Sequence, residues 1–290
     1  PPPPIRRWLE WQALTVNARF RYVETSADVV TAKQIQYKDV VRGRLNLDAS
    51  KRYTVNVGLF TGQNFIGTWN TTDIGTGDLV FTHSLKQLYL SATPVPGLEL
   101  QYGGLYIVRG ESSEITSYDD DGYLVGERVS LRRPGQLFVD EVSVTRGVIG
   151  PYGTPALTDR WEGLHDANYH QVLVARHVGR SLKTSADYTE DQGNHTVRAA
   201  LAYALPRGAP VSSLRYEQYL RTSGNAAGGF ALTADAPLGP RARVVGGYAT
   251  VDELYGGWNA DKMQRGRRVF GTLSVPLGTD VTLQFFGTRA

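Results

Sequence analysis

Leu14-Thr-Val-Asn-Ala-Arg-Phe-Arg-Tyr22 is the stretch whose reading decides the fold class. Leu14, Val16, Ala18, Phe20 and Tyr22 alternate with Thr15, Asn17, Arg19 and Arg21. A two-residue period places the first set on one face of a β-strand and the second set on the other. In a soluble sandwich the apolar face turns to a core and the polar face to water. In a membrane barrel the pattern is inverted, with apolar residues toward lipid and polar residues toward a lumen.

Strand-like segments recur outward from this stretch to the end of the chain. In Tyr37 to Asp48, Val41, Gly43, Leu45 and Leu47 oppose Arg42, Arg44, Asn46 and Asp48. Tyr53 to Thr61 follows the turn Ala49-Ser-Lys51, and a Gly/Thr/Asn/Asp-rich loop runs from Gly62 to Thr82. Leu85 to Ala92 and Leu98 to Val108 form a hairpin around Thr93-Pro-Val-Pro-Gly97, with Pro and Gly confined to the turn. Arg109 to Gly126 reads as an acidic, polar connection. Glu127 to Arg132 and Leu137 to Arg146 flank Arg133-Pro-Gly135, and the slipped alternation after Leu137 predicts a bulge. Beyond a loop from Gly147 to Asn168, strands are expected at Tyr169–Val178, Ser181–Thr189, His195–Leu205, Val211–Thr222, Ala227–Ala236, Arg241–Val251, Arg267–Val275 and Val281–Thr288. No helical periodicity of useful length interrupts them. The chain reads as all-β.

Composition agrees. Among 290 residues there are 32 Gly and 16 Tyr, but one Met and no Cys. That profile suits strands and turns and excludes disulfides and thiolate metal sites. A net charge of +3 is too small for a general nucleic-acid footprint. No apolar run reaches the roughly 18 residues of a membrane helix. Pro1 to Pro4 reads as an extended tether of a mature or trimmed product. Ile5 to Trp11 carries basic and aromatic residues suited to a membrane interface. Residues 1–11 are therefore set apart from a single barrel over residues 12–290.

Three features favour the barrel over a sandwich. Strands of roughly 9 to 12 residues match a tilted crossing of a bilayer, where globular strands average about 5 or 6. Short Pro/Gly-rich turns (Pro206–Pro210, Pro237–Pro240, Pro276–Asp280) alternate with longer polar connections, as in outer-membrane barrels. Arg19, Arg21, Arg42, Arg44, Arg198, Arg215, Arg241, Arg243 and Arg268 lie opposite apolar neighbours, which suits a wet lumen better than a dry core.

The hairpin Lys86-Gln-Leu-Tyr-Leu90 with Thr93-Pro-Val-Pro-Gly-Leu-Glu-Leu-Gln-Tyr-Gly-Gly104 resembles a segment common in bacterial outer-membrane porins, where a Pro-Gly turn precedes "GLEL-x-x-GG". The strand-and-loop rhythm of nearly the whole chain is similar to that superfamily. One departure is the ending Phe285-Phe-Gly-Thr-Arg-Ala290, which lacks the usual terminal aromatic. The expected fold is thus a transmembrane antiparallel up-and-down β-barrel. Fifteen strands are counted, whereas such barrels have even numbers. Merging the two segments around Pro134 gives fourteen, the first choice, and adding an N-terminal segment such as Ile5 to Gln12, or a strand beyond Ala290, gives sixteen.

The resemblance implies an outer-membrane channel for passive diffusion of small hydrophilic solutes. Its partners would be the bilayer with its lipopolysaccharide, and further copies or other envelope proteins. The arginines would line the pore and draw anions, opposed by inward-facing Glu99, Asp187, Glu217 and Asp235. The competing reading has these charges pairing across strands and simply holding the wall together. The Gly62–Thr82 loop, with Phe65 and Trp69, is a candidate constriction, although an outward course is the stronger expectation. Asp119-Asp-Asp-Gly122 lacks the ligand spacing and final Glu of a Ca²⁺ loop.

Enzymatic readings are weaker. His83, His165, His170, His177 and His195 are scattered, and no H-E-x-x-H or G-x-S-x-G motif occurs. A Ser181/His177/Asp187 hydrolase site is the least implausible of them. No cofactor or metal is implied. A barrel serving as a scaffold or sheath for envelope proteins is the principal alternative to a channel.

Overall fold

The computed structural model describes residues 8–25, 27–62, 67–118, 122–135, 138–150, 157–161, 166–224, 227–239, 241–252 and 265–289. The elements are β1 (Leu9–Glu24), β2 (Val30–Asn46), β3 (Tyr53–Thr61), β4 (Asn70–Gly75), β5 (His83–Val95), β6 (Leu98–Tyr106), β7 (Tyr123–Arg132), β8 (Glu141–Val148), one helical turn α1 (Thr158–Trp161), β9 (Tyr169–Val178), β10 (Leu182–Asp191), β11 (Asn194–Ala204), β12 (Ser213–Arg221), β13 (Ala227–Pro237), β14 (Arg243–Val251), β15 (Gly266–Pro276) and β16 (Thr282–Arg289).

The strands follow one another in chain order, β1-β2-β3-β5 and so on to β16, while β4 pairs with β2. Every strand pairing with a described register is antiparallel, from β1/β2 to β15/β16. Sixteen strands therefore exist among the described residues, equal in number to the larger expected count, but the added strand is β4 within the expected Gly62–Thr82 loop, not a segment at either end of the chain. The merger around Pro134 does not occur, because β7 and β8 are separate strands. The slip near Leu137 is not a bulge: residues 138–140 bend outside any strand, and β8 starts only at Glu141.

The chain divides into two compact units, residues 1–107, 121–129 and 145–168, and residues 108–120, 130–144 and 169–290. In the first unit the β1/β2 hairpin is the longest element, with strands of 16 and 17 residues. Thr61 ends β3 opposite Asp39, and β4 takes over the lane beside β2 from there, pairing Asn70 with Tyr37 and Thr71 with Gln36. Residues 70–75 of the Gly62–Thr82 connection thus extend the sheet; Phe65 lies outside the described residues. Gly103, at the end of the porin-like motif, has φ +126°, and a Cβ there would stand 2.3 Å from the Leu88 carbonyl oxygen. Only glycine accommodates that approach.

Burial is inverted relative to a soluble sheet. In β1, Leu14, Val16 and Phe20 are 76, 74 and 64% exposed, while Asn17, Arg19 and Arg21 are half-buried. In β3, Thr54 and Asn56 are buried and Tyr53, Val57 and Leu59 exposed. The second unit repeats the pattern. Asp187, Thr189, Thr196, Arg198 and Glu217 are buried, and Tyr188, Val197, Leu201, Leu214 and Tyr216 exposed. A conventional apolar core exists in the first unit, where Leu105, Tyr123, Leu124, Val125, Ile149 and Leu157 are nearly or wholly buried.

Candidate functional site

The polar face of the first unit is cationic. Arg19, Arg21, Lys38, Arg42 and Arg44 share one face of the β1/β2 hairpin, because Arg19 pairs with Gln36, Arg21 with Gln34 and Asn17 with Lys38. Arg19 Nε donates to Gln36 Oε1 at 2.8 Å, and its guanidinium lies 4.1 Å over the Trp69 ring. Arg42 lies 5.1 Å over Phe60, and Arg44 Nε donates to Asn56 Oδ1 at 3.1 Å. On β7, buried Arg128 donates to Thr145 Oγ1 (3.0 Å), to Gln101 Oε1 (2.9 Å) and to the Tyr106 carbonyl. Lys86 Nζ donates to the Gly67 carbonyl at 3.2 Å. Aromatic faces, amide oxygens and backbone carbonyls are among the groups that receive these cations. Glu99 is on the polar face of β6, accepting from Ser91 Oγ and Gln101 Nε2.

The polar face of the second unit is mixed in charge, and its carboxylates are committed. Arg198 and Asp187 form a buried pair across β10 and β11. Asp235 accepts from Arg243 Nε at 2.7 Å. Glu217 is fully buried. It receives the Ser113 amide at 2.7 Å and the Ser113 and Thr116 hydroxyls. Arg215 and Arg268 are half-buried on their strands, whereas Arg241 is exposed in the turn before β14.

Those bonds to Glu217 fix a feature that the residue pattern did not reveal. The segment Val108–Tyr118 is laid across the polar face of β9–β12. Gln171 Nε2 donates to the Val108 carbonyl (2.9 Å), the Glu111 amide to Ser185 Oγ (2.8 Å), and the Tyr118 hydroxyl to Asp191. A segment on the polar face is thus the β6–β7 connection, which is hydroxyl-rich, while Gly67 and Trp69 of the Gly62–Thr82 connection also meet polar-face cations, Lys86 and Arg19. The signal available in the sequence was Ser112, Ser113, Thr116 and Ser117, which can satisfy buried carboxylates. Asp119 to Asp121 and His165 lie outside the described residues.

The suggested Ser181/His177/Asp187 grouping does not assemble. His177 Nδ1 is 3.0 Å from Asp140, while Asp187 is taken up by Arg198.

No protein-family model matches the chain, and no curated protein matches it in sequence. Solved structures do. One described as showing asymmetric conductivity of engineered proteins superposes with a TM-score of 0.60 at 10% identity, covering 94% of this chain and 93% of the other. Salmonella typhi OmpF in complex with daunomycin gives 0.59 at 11% identity, over 96 and 89%. A variant of the Rh. blastica porin gives 0.59 at 11% identity, over 94 and 93%. The likeness is one of fold: the chain has a porin-type, antiparallel up-and-down β-barrel fold.

Proposed function

We propose that the chain is an integral outer-membrane channel, one barrel over residues 12–290, that passes small hydrophilic solutes passively and favours anions. The observation carrying this reading is the inverted burial. An exposed apolar face that continues from strand to strand is unfavourable in water and marks a surface made for a lipid environment. The opposite face holds charge that only a wet lumen or direct pairing can support. Porin-type neighbours in fold support the same conclusion.

Selectivity follows from how the cations are held. Arg19, Arg21, Arg42 and Arg44, with Lys38 beside them, form a positive wall, and such a wall raises the local concentration of anions. Val108–Tyr118 narrows the polar side of the second unit. Lipopolysaccharide around the barrel and association with further copies belong to the same proposal, and no catalytic activity does.

The test is conductance across a planar bilayer. Purified, folded protein should give ohmic channels with a reversal potential reporting anion preference. Replacing Arg19, Arg21, Arg42 and Arg44 with Ser should abolish that preference. Folded protein without conductance would return the chain to the scaffold reading.

A further inference from the structure

Five hairpins of the second unit turn through residues 133–140, 179–181, 205–212, 238–242 and 277–281. In an antiparallel meander alternate connections share an edge, so these tips stand in one row, about 10 Å apart for two strand spacings. The row is basic. Arg133, Arg180, Arg207 and Arg241 occupy the turns, with Arg176 and Lys183 at the adjoining strand ends, all exposed. Of the carboxylates along this edge, Asp280 in the last turn is exposed and accepts from Thr279 Oγ1 (2.8 Å), and the others are more fully engaged. Asp140 accepts from the amides of His177 (2.6 Å) and Gly135 (3.0 Å), Glu141 pairs with Arg132 Nε (3.1 Å), and Asp235 pairs with Arg243. Among the described residues, Arg133, Arg180, Lys183, Arg207 and Arg241 form no ion pair.

Apolar side chains stand between these cations. Phe138 is 81% exposed, with the Arg176 guanidinium 4.7 Å over its ring. Val178, Leu238, Leu277 and Val281 are also exposed in or beside the same turns. Bare apolar tips alternating with unpaired cations fit one environment well, the boundary of a bilayer with anionic headgroups. There the apolar groups enter the acyl margin, and the Arg and Lys heads reach phosphate. An acidic protein would answer the cations and leave the apolar tips without a role.

We propose that this rim binds the headgroups of anionic phospholipids in the leaflet at the short-turn edge, a proposal that rests on the barrel reading above. The protein is folded into vesicles of equimolar phosphatidylglycerol and phosphatidylcholine, extracted in mild detergent and examined by native mass spectrometry for retained lipid. Phosphatidylglycerol should be retained over phosphatidylcholine. The combined variant Arg133→Gln/Arg180→Gln/Arg207→Gln should lower that retention at least ~5-fold, with conductance and heat-modifiable gel migration unchanged. Phe138→Ser should lower retention of both lipids. Equal retention of the two lipids by folded, conducting protein would overturn the proposal. Unchanged retention by the triple variant would also overturn it and assign the cations to a protein partner. Failure to become heat-modifiable in any lipid would instead overturn the barrel reading, and this proposal with it.

Discussion

Arg198 and Asp187 face each other across β10 and β11, Nη2 to Oδ1 at 2.7 Å, with side chains 0 and 2% exposed. Thr189 Oγ1 donates to the same carboxylate at 2.8 Å. Removing one partner leaves a buried charge uncompensated, which costs about 3–5 kcal/mol. Asp187→Leu should therefore lower the urea midpoint of the vesicle-inserted protein markedly. The double replacement Asp187→Leu/Arg198→Leu should recover most of the loss, because no lone charge remains.

Glu217 holds Val108–Tyr118 through three donors on two residues. Glu217→Ala removes this acceptor from the Ser113 amide and two hydroxyls and loosens the middle of the segment, which Gln171, Ser185 and Asp191 hold at other points. Single-channel recordings should show a larger and noisier conductance. A quiet, unchanged channel would mean that the segment is held elsewhere or does not narrow the path.

Trp69 supports Arg19 by stacking, an interaction of about 0.5–2 kcal/mol depending on desolvation. Trp69→Ala should loosen the guanidinium and reduce, without abolishing, the anion preference measured by reversal potential. Removal of the charge itself should have the larger effect.

Gly103 cannot carry a side chain without displacing the Leu88 carbonyl, and its positive φ adds backbone strain. Gly103→Val should prevent the β5/β6 hairpin from closing and abolish heat-modifiable migration. Gly135→Ala is a suitable control, because a Cβ there meets nothing within 4 Å and only the positive φ is disturbed.

Asp140 lies in the β7–β8 connection, outside the strands. Bonds from the amides of His177 and Gly135, and from the His177 ring, hold its carboxyl below the usual carboxylate range. A lowered folded pKa means that its contribution is full above the unfolded value and is lost as pH falls through the folded one. The protection of the His177 and Gly135 amides, measured relative to the intrinsic exchange rate at each pH, should therefore fall on acidification below that range. Asp140→Asn should show the reduced protection already at neutral pH.

Much of this architecture was legible in the chain. The fifteen alternating segments match the fifteen strands of the main path, because a period of two survives wherever one face meets an apolar medium. Pro206–Pro210 and Pro237–Pro240 marked turns by backbone chemistry alone. The ends of β1 and β2 were less visible. Val30 to Gln36 breaks the apolar alternation with Lys33 and Gln34, yet it remains strand because β1 supplies its ladder. The sixteenth strand, β4, exists only through pairing with β2, and a loop-like composition conceals such an edge partner.

The row of charges was readable too, but its pairing was not. The alternation of Leu14–Tyr22 by itself determined that Arg19 and Arg21 share a face opposite Leu14, Val16 and Phe20. Tertiary structure alone decided that Arg198 is spent on Asp187, that Arg19 is stacked on Trp69 and bonded to Gln36, and that Glu217 meets Ser113 across 104 positions of sequence. Face is a property of neighbours two residues apart. Partnership depends on register and on where distant segments come to rest, and no local period encodes either.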